Sequence, residues 1–162
     1  MRFALELTEA VRAAWPLHLP LFFRVSATDD MGWSLEDSVA LAAALRVRGV
    51  DVIDCSSGGM ASRSPTASQE QRPLGYQVPY AERIRRDANV LAMAVGLIVD
   101  PHQAERILEL GRADLIAIGR EALFDPYWPL HASRALNDDP TFSLWPRQFA
   151  WWLQRRASAG IG

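Results

Sequence analysis

The residues best suited to chemistry stand where four apolar segments end. The first segment, Leu21–Val25 (LFFRV), holds Arg24 among apolar neighbours and is followed by Ser26. The second, Val50–Cys55 (VDVIDC), leads into Ser56-Ser57-Gly58-Gly59. The third, Val90–Val95 (VLAMAV), ends at Gly96, and the fourth, Asp114–Ile118 (DLIAI), ends at Gly119-Arg120. Glycine lets a backbone come close to a ligand, and exposed backbone N–H groups bind phosphate through their oriented dipoles. Arg120 adds a permanent charge and a forked donor that matches phosphate oxygens. Two glycines and an arginine after the last two segments therefore suit a phosphate site. The competing reading is structural: glycines that only end strands, and an Arg120 paired with Glu121 or Asp125.

Arg24 is the stranger residue. A guanidinium inside an apolar strand is costly unless it is paired or bound to an anion. It could hold the electron-rich edge of a cofactor or a substrate carbonyl, or it could form an ion pair with Asp54, one strand over. The remaining candidates carry less. His18, His102 and His131 show no ligand spacing, and Cys55 reads as a small buried hydrophobe. Ser57 lies in no Gly-x-Ser-x-Gly elbow, so no nucleophilic triad can be assembled. Asp51, Asp54 and Asp114 border strands; any of them could serve as an acid or base, but capping or ion pairing is expected. Trp151-Trp152 suits a core or an interface.

These residues need a scaffold that brings strand ends together. Near-continuous apolar runs are the mark of strands in a parallel sheet, buried on both faces. Helical patterns alternate with them. Phe3–Ala14 puts Phe3, Leu7, Ala10, Val11 and Ala14 on one face, and Leu35–Arg48 does the same with Leu35, Val39, Ala42 and Leu45. Ser34 is an N-cap with Asp37 as capping-box partner, and Gly49 stops the helix. Asp100-Pro101 starts another helix that runs to Gly111. The order is helix, then β-α-β-α-β-α-β, then helices, an α/β arrangement with right-handed parallel crossovers. Barrels and doubly wound sheets place their sites at the C-terminal ends of such strands. The long segment Ser56–Gln77, rich in Ser, Gly, Pro and Arg, reads as a loop on that face. Pro146–Arg156 reads as a final amphipathic helix within a tail spanning 137–162.

Composition narrows the setting. The 162 residues carry 17 basic and 19 acidic side chains and 49% hydrophobic residues. That provides a core for one domain but no basic patch for nucleic acid. No apolar run approaches the roughly 20 residues needed to span a bilayer. The N-terminus, MRFALELTEAVRAAW, makes a poor signal peptide. A lone cysteine forms no internal disulfide, so a reducing, cytoplasmic setting is expected.

Five segments together resemble the old yellow enzymes. They are LFFRVSATD, DVIDCSSGG, GYQVPYAERIR, AVGLIVDPHQAERIL and GRADLIAIGREALFDPYWPLHASRAL. The similarity runs from about Arg2 to Leu136 and is nearest to the bacterial, thermophilic-type NADH:flavin oxidoreductases and ene-reductases. It implies that residues 1–162 are the C-terminal half of a (β/α)8 TIM barrel, with four parallel strands and crossover helices. It also implies noncovalent FMN and a hydride passed from NADH or NADPH to the β-carbon of an activated, enone-type alkene. By position, Arg24 matches the arginine at the flavin N1–O2 edge. Ser57 and Gly58 match the loop after the sixth strand. Gly96, Gly119 and Arg120 match the phosphate elements after the seventh and eighth strands.

The departures from the family are as informative. The family's substrate-orienting His-His or His-Asn pair and its proton-delivering tyrosine belong to the N-terminal half, and no segment here matches them. Where some relatives carry an arginine that reaches into a neighbouring subunit, this sequence has Gln148-Phe149-Ala150-Trp151. The expectation is thus an FMN-binding portion inactive alone, working as a homo-oligomer or with a separate N-terminal half, without nucleic-acid or membrane partners. The alternatives are a nonenzymatic half-barrel that binds phosphate-containing ligands or assembles with itself, and an unrelated phosphate-binding barrel enzyme.

Overall fold

The computed structural model describes residues 1–29, 31–58 and 72–160. Strands β1 (Phe22–Ser26), β2 (Val52–Ser56), β3 (Leu91–Ala94) and β4 (Leu115–Ile116) form one parallel sheet in the order β1-β2-β3-β4. Helices α2 (Leu35–Val47), α3 (Val78–Ala88) and α4 (Pro101–Glu109) make the three crossovers. Helix α1 (Arg2–Ala14) precedes the sheet. Helices α5 (Arg120–Phe124), α6 (Trp128–Ala135) and α7 (Arg147–Ser158) follow it. Sequential parallel strands with a helix after each are consistent with part of a TIM barrel. Most of the expected Ser56–Gln77 loop, residues 59–71, lies outside the described residues.

Strands β2 and β4 begin later than their apolar runs, because acidic residues at the starts do another job. Asp51 Oδ2 accepts the Leu21 N–H at 2.7 Å, and Asp114 Oδ2 accepts the Ala92 N–H at 2.9 Å. Both carboxylates satisfy main-chain donors at the N-terminal edge of the sheet and stay out of the ladder. Arg85 Nε holds Asp114 from α3 at 2.9 Å. Helix α2 has the expected capping box: Ser34 Oγ accepts the Asp37 N–H, and Asp37 Oδ2 accepts the Ser34 N–H. Asp100 caps α4 by accepting the Gln103 N–H, with Pro101 in the first turn. Helix α3 was implied by the alternation of elements; it buries Val78, Ala81, Ile84 and Ala88 on one face, and Pro79 in its first turn fits.

The core lies on one side of the sheet. Val25, Ile53, Cys55, Ala92 and Ala94 pack against Leu41, Ala42 and Leu45 of α2, Val78, Ala81 and Ile84 of α3, and Ala104 and Ile107 of α4. Residues of opposite parity face the other way: Phe22 is 45% exposed, Leu91 51% and Leu115 40%. The expectation of strands buried on both faces thus holds on the helix side and within β2, where Val52 is buried on the inner face, but not at the inner face of the flanking strands, since four strands do not close around an interior. The predicted stripe of α1 is exposed too, at Phe3, Leu7 and Val11. That helix instead buries Thr8, whose hydroxyl donates to Ala4 O, and packs Ala4 and Leu5 on the core. Among the described residues no helix is long and apolar enough to cross a membrane.

A one-sided core makes a measurable contrast. Ile53→Ala should lower stability by about 2–5 kcal/mol, whereas Leu91→Ser should cost less than about 1 kcal/mol. Urea unfolding midpoints compare the two. A large loss for Leu91→Ser would show that the inner face is covered.

Candidate functional site

The C-terminal rim of the sheet is laced by hydrogen bonds between successive strand ends. The Ala27 N–H donates to Ser56 O at 2.7 Å, the Gly58 N–H to Thr28 O at 2.8 Å, and Ser26 Oγ to Gly58 O at 3.0 Å. These bonds fix the loop after β2 against the end of β1. Ser57 Oγ then donates to Gln77 Oε1 at 2.7 Å, and Gln77 Nε2 donates to Val95 O at 3.3 Å. Gln77 is buried and stands just before α3. It joins the end of β2 to the end of β3. The sequence reading missed it, because a lone glutamine has no signature of its own; its place before Pro79 at a helix start was the available cue.

Gly96 completes this bridge. Its φ of +121° is one that side chains resist, and a Cβ there would stand 2.9 Å from Gln77 Nε2. Its carbonyl accepts the Gly75 N–H at 2.9 Å. Gly119 differs: a Cβ added there would meet nothing within 4 Å. Among the described residues, the N–H groups of Gly96 and Gly119 have no hydrogen-bond acceptor. Arg120 is exposed and makes no ion pair with Glu121 or Asp125. Asp125 instead pairs with His131. The end of the sheet at β3 and β4 therefore offers an exposed main-chain donor at Gly119, an unaccepted one in the buried Gly96, and an exposed guanidinium.

Arg24 lies on the inner face, directly opposite Asp54 in the β1–β2 register. Its Nε is 3.4 Å from Ser56 Oγ and 3.9 Å from Asp54 Oδ2. The side chain is 72% exposed while that of Asp54 is 19% exposed. The expectation of a buried guanidinium is corrected: the strand is apolar, but this face is open. The proposed pairing with Asp54 is present and does not consume the group. Among the described residues its two terminal nitrogens have no hydrogen-bond partner. Desolvation pushes the Asp54 carboxyl above its ordinary range, and the Arg24 charge opposes this. Asp54 Oδ1 is buried without a partner among the described residues. Cys55, next in the chain, points into the core, where burial and then the charge of Asp54 push its thiol up to about 12.

Two open pockets lie elsewhere among the described residues. One of about 430 Å³ sits at the N-terminal end of the sheet beside Asp51, Asn89 and Asp114. Another of about 820 Å³ runs between α4 and α6, past His102 and Trp128. Neither contains a residue expected to act. Among the described residues no cluster of His, Cys, Asp and Glu could hold a metal.

A profile of the NADH:flavin oxidoreductase / NADH oxidase family matches residues 1–139. The chain belongs to this family. It is 47% identical to an NADPH dehydrogenase of Geobacillus sp. (strain WCH70) over 138 residues, 84% of this chain and 38% of that protein. It is 43% identical to an NADPH dehydrogenase of Bacillus subtilis (strain 168) over 85% of this chain and 39% of that protein. With an NADPH dehydrogenase of Bacillus pumilus (strain SAFR-032) it shares 43% identity over 93% of this chain and 43% of that protein. The chain spans about two fifths of the length of these relatives. FMN as cofactor and a reduced nicotinamide as hydride source are the chemistry of the family.

The two rim glycines should respond differently to a methyl group. Gly96→Ala meets both a forbidding φ and Gln77, and should cost about 1–3 kcal/mol. Gly119→Ala should cost less than about 1 kcal/mol. Denaturant midpoints of the two variants check this; equal losses would mean that Gly119 is structural.

Proposed function

We propose that this chain is the FMN-binding portion of a flavin oxidoreductase that passes hydride from NADH or NADPH to an activated alkene. The observation that carries the reading is the open rim: Gly119 with free space before it, Gly96 and Gly119 with unaccepted N–H groups, and an exposed Arg120. Gly96, Gly119 and Arg120 would hold the phosphate, through main-chain donors and a charge-assisted contact. Arg24 would hold the electron-rich edge of the ring system, and Ser57 and Gly58 would line the cofactor from the loop after β2. Gly58 acts there through its position, since its own N–H is given to Thr28. When bound, FMN supplies the two-electron carrier between nicotinamide and alkene. The chain's own residues bind and orient it.

Substrate orientation needs groups that these residues do not include. Hydride transfer requires the alkene held in near-attack geometry, and the polar pair and tyrosine that would do so are expected from the part of the relatives that this chain does not match. The working enzyme in this reading contains that part as well, in a reducing, cytoplasmic compartment.

The exposed inner face bears on assembly. Phe22, Leu91 and Leu115 present apolar surface beside two unpaired strand edges, and such edges invite another chain. We propose that the 162-residue polypeptide self-associates or pairs with an N-terminal half. Sedimentation at micromolar concentration should show a dimer or larger species. A clean monomer that binds no exposed-hydrophobe dye would overturn this.

Fluorescence quenching tests the cofactor. FMN should bind more tightly than riboflavin, and Arg120→Ala should remove most of that difference. Equal affinities in the unmutated chain would sink the phosphate site. The same polypeptide alone, given NADPH, FMN and a simple enone, should show no turnover. Sustained reduction of the enone would show that the substrate-orienting groups are here after all.

A further inference from the structure

The flavin reading assigns a role to Arg24 but none to the carboxylate beside it. Asp54 is an expensive residue in its place. It lies in a strand whose neighbours in the chain, Ile53 and Cys55, are fully buried. It is largely desolvated, and one oxygen has no hydrogen-bond partner. Replacing such a group by a neutral one of the same shape is often neutral or favourable for stability. Its one charged neighbour in the described structure is Arg24, which is mostly in solvent. A pair of this kind adds little to folding, since the exposed partner is screened by water. Folding therefore does not explain why a carboxylate stands here.

The geometry does suggest a use. Register places Asp54 opposite Arg24 on the inner face, and Ser56, on the same face of β2, is the next residue toward the rim. Asp54 Oδ2 and Ser56 Oγ both approach Nε of Arg24, at 3.9 and 3.4 Å. Ser56 Oγ donates its own proton to Val25 O at 3.1 Å, so toward Arg24 it can act as an acceptor. A flexible arginine loses much rotamer freedom when it binds, and preorganisation removes part of that cost. Ser56 Oγ accepts the single Nε–H while Asp54 Oδ2 stands at ion-pair distance from the same nitrogen, and among the described residues both terminal nitrogens are left without a hydrogen-bond partner.

We propose that Asp54 is the positioning residue for Arg24. With the Ser56 hydroxyl, it holds the guanidinium by Nε on the inner face and so presents its terminal N–H groups to the flavin ring. This rests on the FMN reading of the same site.

The tests are arranged to separate the two. In the unmutated chain, FMN binding by fluorescence quenching decides the flavin reading. Given binding, Asp54→Asn should weaken it by a factor of about 3 to 5. Asp54→Asn combined with Arg24→Ala should bind no worse than Arg24→Ala alone, as expected for groups acting as one unit. The midpoint potential of the bound flavin should fall in Asp54→Asn, as in Arg24→Ala, because the lost placement of the guanidinium outweighs the lost negative charge. A rise would make Asp54 a mere neighbouring charge and overturn the proposal. Thermal stability of Asp54→Asn should equal or exceed that of the unmutated chain, and a clear drop would make the residue structural. A final arm needs no flavin. Nitrogen-15 spectra should show the Arg24 Nε–H exchanging with water more slowly in the unmutated chain than in Asp54→Asn. Equal exchange would overturn the positioning role even if FMN binds, and slowed exchange would sustain it even if FMN does not.

Discussion

A parallel strand cannot be joined to its neighbour by a tight turn; it needs a crossover of a dozen or more residues. That constraint shapes this chain more than any single contact. Each of α2, α3 and α4 must return to the same edge and the same side of the sheet, because right-twisted strands accept right-handed crossovers. The helices therefore cover one face only, and the apolar layer around Ile53, Cys55, Leu45 and Ile84 forms there. The opposite face stays largely open among the described residues. All four strands also end at the same rim, so the loops that follow them are brought together although they are far apart in sequence.

The sequence made the scaffold legible because that constraint leaves marks. Strand runs are apolar, turns and caps are polar, and Ser34, Gly49 and Asp100-Pro101 punctuate the helices where expected. The strand starts were less legible, since Asp51 and Asp114 stand inside the runs while serving neighbouring strands. The apolar stripe expected on α1 is not the face that packs, since Ala4, Leu5 and Thr8 meet the core instead, and periodicity cannot say whether a face has a partner. The same gap explains Arg24. Its apolar neighbours Phe23 and Val25 face the helices, and only the closure of the sheet decides whether the intervening residue is buried. Gly96 and Gly119 stood out by position alone, yet their difference, one locked against Gln77 and one open, needed coordinates. Gln77 had no pattern to announce it.

The rim is stiffer than its loop-rich sequence suggests. Bonds from Ser26 to Gly58, Ser57 to Gln77, Gln77 to Val95 and Gly75 to Gly96 run across the ends of three strands. Each contributes about 1 kcal/mol at most to stability, but together they settle where the loops stand before anything binds. A ligand then meets fixed donors and does not have to order them.

Beside that fixed rim lies a face that breaks the rules of a folded surface. It exposes Phe22, Leu91 and Leu115, holds a largely exposed arginine, and buries a carboxylate with an unpartnered oxygen. Burial raises the Asp54 carboxyl, so its contribution to stability is fully present only below the ordinary carboxylate range and is lost as pH rises through its raised value. Once ionised, the carboxylate works against the chain's own fold. Local conflicts of this sort are uncommon where folding alone selects the residue, and they gather where a surface serves a ligand or another chain. The three named here fall together on the side of the sheet opposite the core helices. The side of the sheet that folding leaves unfinished is therefore the side on which binding has to be sought.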